Sequence, residues 1–329
     1  NTRLYTGTGS SLAVTGVGFS PDLVWLKNRA TTDYQVIFDT VRGATKYLRT
    51  VTTAAEATTA ESLKSFDADG FTLGTNSTWN ASSMSGVSWN WLGGASTLGT
   101  GDFTQGSLAS TCSRNVDSGF SIVSYTGTGS ATTVGHGLSS APELIIAKDI
   151  NNTNSWLVLH MGIGATKAQF LDLTAAADTD SVYWNNTAPT STVFSIGTNS
   201  KINSSSQPYI AYCWHGVDGY SSFGSYTGNG STDGTFIYTG FEPAWVVCKR
   251  TDTTGAWEQV DNKRTNQTNP IDEDLLLNAD DAEYEADRMD FVSNGFKLRT
   301  TSAAFNASGG TYIFMAFSSG TGFKYGNAI

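Results

Sequence analysis

Tyr5-Thr6-Gly7-Thr8-Gly9 returns as Tyr125-Thr126-Gly127-Thr128-Gly129 and again as Tyr226-Thr227-Gly228-Asn229-Gly230. Working outward from each copy, further landmarks keep their order. A proline leads an apolar run that ends in lysine: Pro21 to Lys27, Pro142 to Lys148, Pro243 to Lys249. An aromatic follows, Tyr34, Trp156 or Trp257. Then come Phe71-Thr72-Leu73, Phe194-Ser195-Ile196 and Phe296-Lys297-Leu298, with Asn80, Asn203 and Asn306 shortly after. Each copy closes on an aromatic strand: Val87 to Trp91, Tyr209 to Trp214, Tyr312 to Phe317. A period this long exceeds solenoid units and suits small modules of roughly 95 residues, within the usual domain range.

Within the cassette, alternation dominates. Ser121-Ile122-Val123-Ser124-Tyr125 and Thr235-Phe236-Ile237-Tyr238-Thr239 place β-formers between glycines, the pattern of strands. The Tyr-Thr-Gly-x-Gly motif ends such a strand in a turn whose glycines supply positive φ. The proline-led run reads as a central strand with proline at its mouth. The expected fold is all-β: three tandem β-sandwich modules, jelly-roll-like. They span residues 1–95, 119–217 and 218–319, with a Gly/Ser/Thr-rich connector of surface chain or short extra strands at 96–118 and a tail at 320–329 that offers itself to a partner subunit. Three stretches at one place in the cassette, Thr52 to Phe66, Thr174 to Asp178 and Asp272 to Asp290, read as a variable loop with at most a helical turn.

The 329 residues carry a formal net charge of −10. Phosphate binding needs clustered Lys and Arg, so nucleic acid is excluded as a partner. No apolar run approaches the roughly 20 residues of a membrane helix, so no membrane insertion is expected. The chain opens at Asn1 without methionine or a charged-then-apolar leader, which suits an excerpt or a trimmed product. Cys112, Cys213 and Cys248 fit no zinc signature and read as free thiols.

Catalytic candidates are wanting: no nucleophile elbow, zincin motif, Walker loop or dinucleotide fingerprint occurs. No cofactor is implied. His136, His160 and His215 fall at different points of the cassette, and His160 holds the place of Asp39 and Asp261, which reads as a surface polar position. The acidic stretch containing Asp280, Asp281 and Glu283 offers at most a weak calcium group without EF-hand spacing, and reads first as a solvated loop. A carboxylate pair for glycan cleavage is not singled out among the 29 acids. Among nine tryptophans, those of the closing strands (Trp89, Trp91, Trp214) read as core or module interface. Trp79 with Asn80, and Trp184 with Asn185, stand in Asn-rich loops where an aromatic beside amides suits sugar stacking. Sequons at Asn76, Asn151 and Asn266 follow from composition.

The stretches Gly219 to Gly230, Phe236 to Ala244, Ser191 to Asn199 and Phe305 to Tyr312 resemble a repeated module of tailed-phage virion proteins of the marine and aquatic type. The likeness covers nearly the whole chain, including the closing Phe323-Lys324-Tyr325-Gly326-Asn327-Ala328, and departs at Trp89-Asn90-Trp91. It implies a non-enzymatic structural or adhesive protein on the virion surface: a tail fibre, spike or head decoration. Its implied partners are other virion proteins and further copies of itself, and it brings no catalytic residue. The alternative readings are a carbohydrate-binding array for host surface glycan and a glycan depolymerase.

Overall fold

The run Leu23-Val24-Trp25-Leu26 decides where everything else sits, because it is buried on both faces. Val24 and Leu26 point into a core belonging to their own end of the chain. Leu23 and Trp25 point the other way, into a core shared along the whole chain. The period of two along a strand makes this division, and the run's uniform apolarity satisfies both sides. The computed structural model describes residues 1–94, 97–98, 105–265 and 268–319.

The strands fall into three lobes in chain order. Lobe 1 holds β1 (Thr2–Thr6), β2 (Leu12–Thr15), β3 (Leu23–Asn28), β4 (Val36–Asp39), β5 (Lys46–Arg49), β6 (Ala57–Thr58), β7 (Leu63–Asp67), β8 (Gly70–Leu73), the one-turn helix α1 (Ser77–Asn80) and β9 (Ser85–Trp91). Its sheets, β1-β9-β3-β4-β5-β6 and β2-β8-β7, face each other over Val14, Val24, Phe38, Phe71 and Trp79.

Lobe 2 holds β10 (Thr97–Leu98), β11 (Ser110–Asn115), β12 (Phe120–Thr126), β13 (Thr132–Gly135), β14 (Leu144–Asp149), β15 (Leu157–His160), β16 (Lys167–Phe170), β17 (Asp178–Thr179), α2 (Ser181–Trp184), β18 (Val193–Ile196), α3 (Ser200–Asn203) and β19 (Pro208–Trp214). An eight-stranded sheet, β10-β11-β12-β19-β14-β15-β16-β17, packs against the pair β13-β18. Lobe 3 holds β20 (Ser221–Thr227), β21 (Phe236–Tyr238), β22 (Trp245–Arg250), β23 (Trp257–Asp261), β24 (Ile271–Leu276), β25 (Tyr284–Val292), β26 (Gly295–Leu298) and β27 (Thr311–Phe317). Here one eight-stranded sheet, β20-β27-β22-β23-β24-β25-β26-β21, curls round its own core, the nine-residue β25 carrying it from one layer to the other.

The all-β sandwich is thus what the alternation predicts. Its layers are unequal, six strands against three and eight against two, where a jelly roll pairs sheets more evenly. The stretch Asp272 to Asp290, expected as a loop, is instead the hairpin β24-β25. The single turns of helix occur elsewhere, at Ser77, Ser181 and Ser200, capped by the side chains of Asn76, Asp180 and Asn199. Within the stretch expected to connect, β11 is a full strand on the outer edge of β12. Part of that stretch and the tail 320–329 lie outside the described residues, as does Asn266.

Between the lobes lies the shared core. Trp25, Trp89 and Trp91 of lobe 1 meet Trp156, Tyr212 and Trp214 of lobe 2 and Trp245, Trp257 and Phe317 of lobe 3. Trp91 is the pivot, edge-on to Trp214, Trp245 and Phe317 at centroid distances of 6.1, 5.6 and 5.7 Å. Burying one such ring removes about 150–250 Å² from water, roughly 4–6 kcal/mol at 25 cal/mol per Å². The closing-strand tryptophans therefore hold lobes together, in keeping with their reading as core or interface.

Candidate functional site

Three seams join the lobes around this hub, and each is built from the same three bonds. First, the residue just before β4 or β15, or the first residue of β23, reaches a neighbour's main chain. Trp156 Nε1–H donates to Arg49 O (2.9 Å), Trp257 Nε1–H to Phe170 O (2.8 Å) and Gln35 Nε2–H to Leu276 O (2.7 Å). Second, main chain meets main chain: Glu56 N–H to Ile150 O, Ala177 N–H to Thr251 O, and Glu283 N–H to Arg29 O, at 2.8 to 2.9 Å. Lobe 1 touches lobe 2, lobe 2 touches lobe 3 and lobe 3 touches lobe 1, so the contacts close a ring.

The third bond belongs to Asp39, His160 and Asp261, the last residues of β4, β15 and β23. All three are buried, at 0, 1 and 0 % exposure. Their reading as a surface polar position is overturned. One atom of each side chain caps the following turn: Asp39 Oδ1 accepts from Arg42 N–H, Asp261 Oδ1 from Lys263 and Arg264 N–H, and His160 Nδ1 from Gly162 N–H. The other atom crosses the seam. Asp39 Oδ2 accepts from the Tyr212 hydroxyl (2.7 Å), and Asp261 Oδ2 accepts from Trp89 Nε1–H (3.2 Å). His160 Nε2 faces a carbonyl, Phe314 O, at 3.0 Å. With Nδ1 accepting, Nε2 must carry the proton and donate. Burial lowers the His160 pKa to about 4, keeping the ring neutral. Asp stands where the neighbour offers a donor, and His where it offers an acceptor.

Each buried aspartate also holds an arginine. Arg42 Nε lies 2.5 Å from Asp39 Oδ2 and its Nη1 is 3.1 Å from Glu56; Arg264 Nε lies 2.6 Å from Asp261 and its Nη1 is 2.7 Å from Glu283. Glu283 also grips Arg29 of lobe 1 across the seam. Lys27, Lys148 and Lys249, the ends of the proline-led runs, are wholly buried. Burial lowers each pKa to about 8. Lys27 Nζ donates to Asp280 O of lobe 3, and Lys249 Nζ to Thr174 O and Ala175 O of lobe 2.

The residues picked out for sugar contact lie elsewhere. Trp79 and Trp184 are each 1 % exposed, inside the cores of lobes 1 and 2, where no sugar ring reaches their faces. Asn80 is buried too, and only Asn185 is exposed. Asn80 is a structural pin: Oδ1 accepts from Thr8 N–H, and Nδ2 donates to Ser10 O and Gly74 O. Asn203 and Asn306 do the same for Thr128, Ser130 and Gly197, and for Asn229, Ser231 and Thr300. Beside each, the motif tyrosine donates to a carbonyl at 2.9 Å: Tyr5 to Trp79, Tyr125 to Ile202, Tyr226 to Phe305. The second glycines, Gly9, Gly129 and Gly230, have φ near +70° as the turn requires.

The acidic stretch is likewise no plain solvated loop. Asp280 and Asp281 are exposed, whereas Glu283 is drawn into the Arg29–Arg264 pair, so the weak calcium group does not converge. Among the described residues no group of three or more His, Cys, Asp or Glu is placed to hold a metal. Two carboxyl pairs do form. The Tyr284 hydroxyl bridges Glu258 (3.1 Å) and Asp274 (3.0 Å), with Arg288 on Asp274 at 2.8 Å. Burial, then the Asp274 charge, pushes Glu258 up to about 8. Burial and Glu283 push Glu273 up to about 7. Glu258 is 4 % and Asp274 0 % exposed, so the first pair is part of the interior of lobe 3.

His136 is buried by its own lobe, Nε2 on Thr190 O and Nδ1 accepting from Leu138 N–H. The three cysteines are free and buried. Where lobe 3 returns to lobe 1, Trp89, Trp91, Trp245 and Phe317 line a cleft of about 40 Å³ with Asn90 and Asn262. Room for a few waters is the most this volume gives. Sequence reasoning missed the seams. Their one visible signal was the Asp39/His160/Asp261 correspondence, which needed the partners to be interpreted.

A protein-family model described as a domain of unknown function (DUF7483) matches residues 1–320. No curated protein and no solved structure matches the chain.

Proposed function

Because the chain belongs to the DUF7483 family, whose model takes in all three lobes, we propose that it works as one body: a non-enzymatic structural or adhesive protein of the virion surface of a tailed phage. The observation that carries this reading is the use made of the buried polar side chains. Asp39, His160, Asp261, Arg42, Arg264, Lys27 and Lys249 are taken up by seam bonds and turn caps. A catalytic group has to meet a reacting atom from an accessible position, and these do not. A closed ring of sandwiches resists local opening, the first step of proteolysis, because each lobe has a neighbour on both sides. The resemblance of the Gly219 to Gly230 and Phe236 to Ala244 stretches to phage virion modules supplies the setting, and the three lobes extend it as tandem copies of one ancestral sandwich. Purified particles, probed by mass spectrometry and by gold-labelled antibody against this chain, are expected to carry it in fixed copy number on the outer surface. Its recovery only from the soluble fraction of infected cells, with particles free of it, would refute the reading.

A further inference from the structure

Lobe 3 sets two aromatic rings side by side in water on β21. Among the described residues, Tyr238 and Phe236 are the most exposed of the large hydrophobic side chains, at 67 and 44 %. They flank the buried Ile237 on a three-residue strand, so both face outward by the period of two. The scaffold does not ask for these rings. Val14 of β2 and Val134 of β13 stand where Ile237 does, each opposite a core phenylalanine: Phe71, Phe194 and Phe296. The flanking places hold Ala13 and Thr15 in lobe 1, and Thr133 and Gly135 in lobe 2. Directly opposite residues share a face of a sheet. Phe236 therefore lies in one row with Lys297 and Asp290, and Tyr238 in the next with Gly295 and Val292. Each ring leans over a glycine: an added Cβ would come within 3.1 Å of Phe236 Cε2 at Gly295, and within 3.6 Å of Tyr238 Oη at Gly240. The charges beside the rings are matched, with Lys297 Nζ 2.8 Å from Asp233 Oδ1 and Arg299 Nε 2.5 Å from Asp290 Oδ2. These four charges cancel, so they draw in no ion, and their remaining valences are left as donors and acceptors. The apolar part is small. Two aromatic side chains present about 300–500 Å² at most, against roughly 800 Å² that each partner buries in a stable protein interface.

We propose that Phe236 and Tyr238 form a stacking platform for a neutral glycan chain. A sugar ring offers a C–H face to an aromatic ring and hydroxyls to polar neighbours, here Asp233 and Lys297. Such a ligand needs both features of the patch, the apolar rings and the uncharged polar border, and is small enough for its area. Successive outward residues stand about 7 Å apart along a strand, so the two rings meet neighbouring saccharide units of one chain lying along β21. The inference rests on the adhesive half of the function proposed above and not on the virion setting.

The probes are cellohexaose, laminarihexaose and chitohexaose in solution, and a printed array of neutral bacterial surface polysaccharides. At least one is expected to bind, with saturation-transfer NMR marking sugar C–H protons as the contact and with an affinity that does not change from low to high salt. Phe236→Ala with Tyr238→Thr installs the side chains that lobe 1 carries at these places. It is expected to weaken binding by about tenfold or more and to leave the melting temperature unchanged. Tyr238→Phe keeps the ring and is expected to keep binding. No binding of any probe at millimolar concentration, binding that survives the double substitution, or binding that salt abolishes would overturn the proposal. So would self-association of the chain that the double substitution abolishes, which would make the occupant a second copy. Particles that carry the chain while it binds none of the probes would end this inference and leave the virion reading standing.

Discussion

His160 is where chemistry at one atom decides a seam. Asp39 and Asp261 accept from a hydroxyl and an indole, but His160 meets the Phe314 carbonyl and must donate. His160→Asp would place a carboxylate against that carbonyl in a buried site, and is expected to destabilise by about 3–5 kcal/mol, the range for an uncompensated buried charge. His160→Asn keeps a donor and is expected to cost less; urea denaturation of both variants checks the order. Two groups also set opposite limits in pH. Glu258 keeps its proton in the fold up to about pH 8, against 4.5 for an ordinary glutamate. The folded state therefore binds the extra proton, and stability falls as pH rises from about 4.5 to 8. His160 is lowered to about 4 from 6.5, so its contribution is lost as pH falls from 6.5 towards 4. Glu258→Gln is expected to flatten the fall in melting temperature above about pH 6.5 and, because the two windows overlap below it, to steepen the loss on the acid side. Equal slopes in variant and parent on the alkaline side would contradict this.

At the scale of the element, the Tyr-Thr-Gly-x-Gly turn is the most legible part of the molecule. Its tyrosine, its positive-φ glycine and its distant asparagine form one unit, visible in sequence because all three recur in order. Asn203→Ala removes the acceptor for Thr128 N–H and the donors to Ser130 O and Gly197 O. It is expected to cost about 1–3 kcal/mol, since buried groups are left unpaired, with the shift read from chemical denaturation. Trp79 and Trp184 were misleading for a physical reason. Their neighbours are polar because they cap helix turns and pin strands, as Asn76 caps α1, not because the segment faces water. The acidic run around Asp274 misled likewise. High charge suggests solvent, but Arg288 on the facing strand, Arg264 from the turn after β23 and Arg29 from another lobe supply the counter-charges. The central strands read correctly because Leu23 to Leu26 and its counterparts are apolar on both faces, although that pattern did not say that one face belonged to a neighbouring lobe.

For the whole molecule, the closure into a ring was not legible. It depends on pairs such as Trp156 with Arg49 and Trp89 with Asp261, more than a hundred residues apart, with no local pattern to announce them. One hydrophobic hub takes side chains from every lobe, so each lobe alone would expose its Trp, Tyr and Phe face to water. The lobes should accordingly unfold together. Asn80→Ala, Asn203→Ala and Asn306→Ala each weaken a different lobe by the loss of the same bonds. Differential scanning calorimetry of the parent and these three variants tests the ring most directly. The expected result is a single transition, with calorimetric and van't Hoff enthalpies equal, shifted downward in all three. Separate transitions, each moved only by the substitution in its own lobe, would show three independent sandwiches and contradict the closed ring.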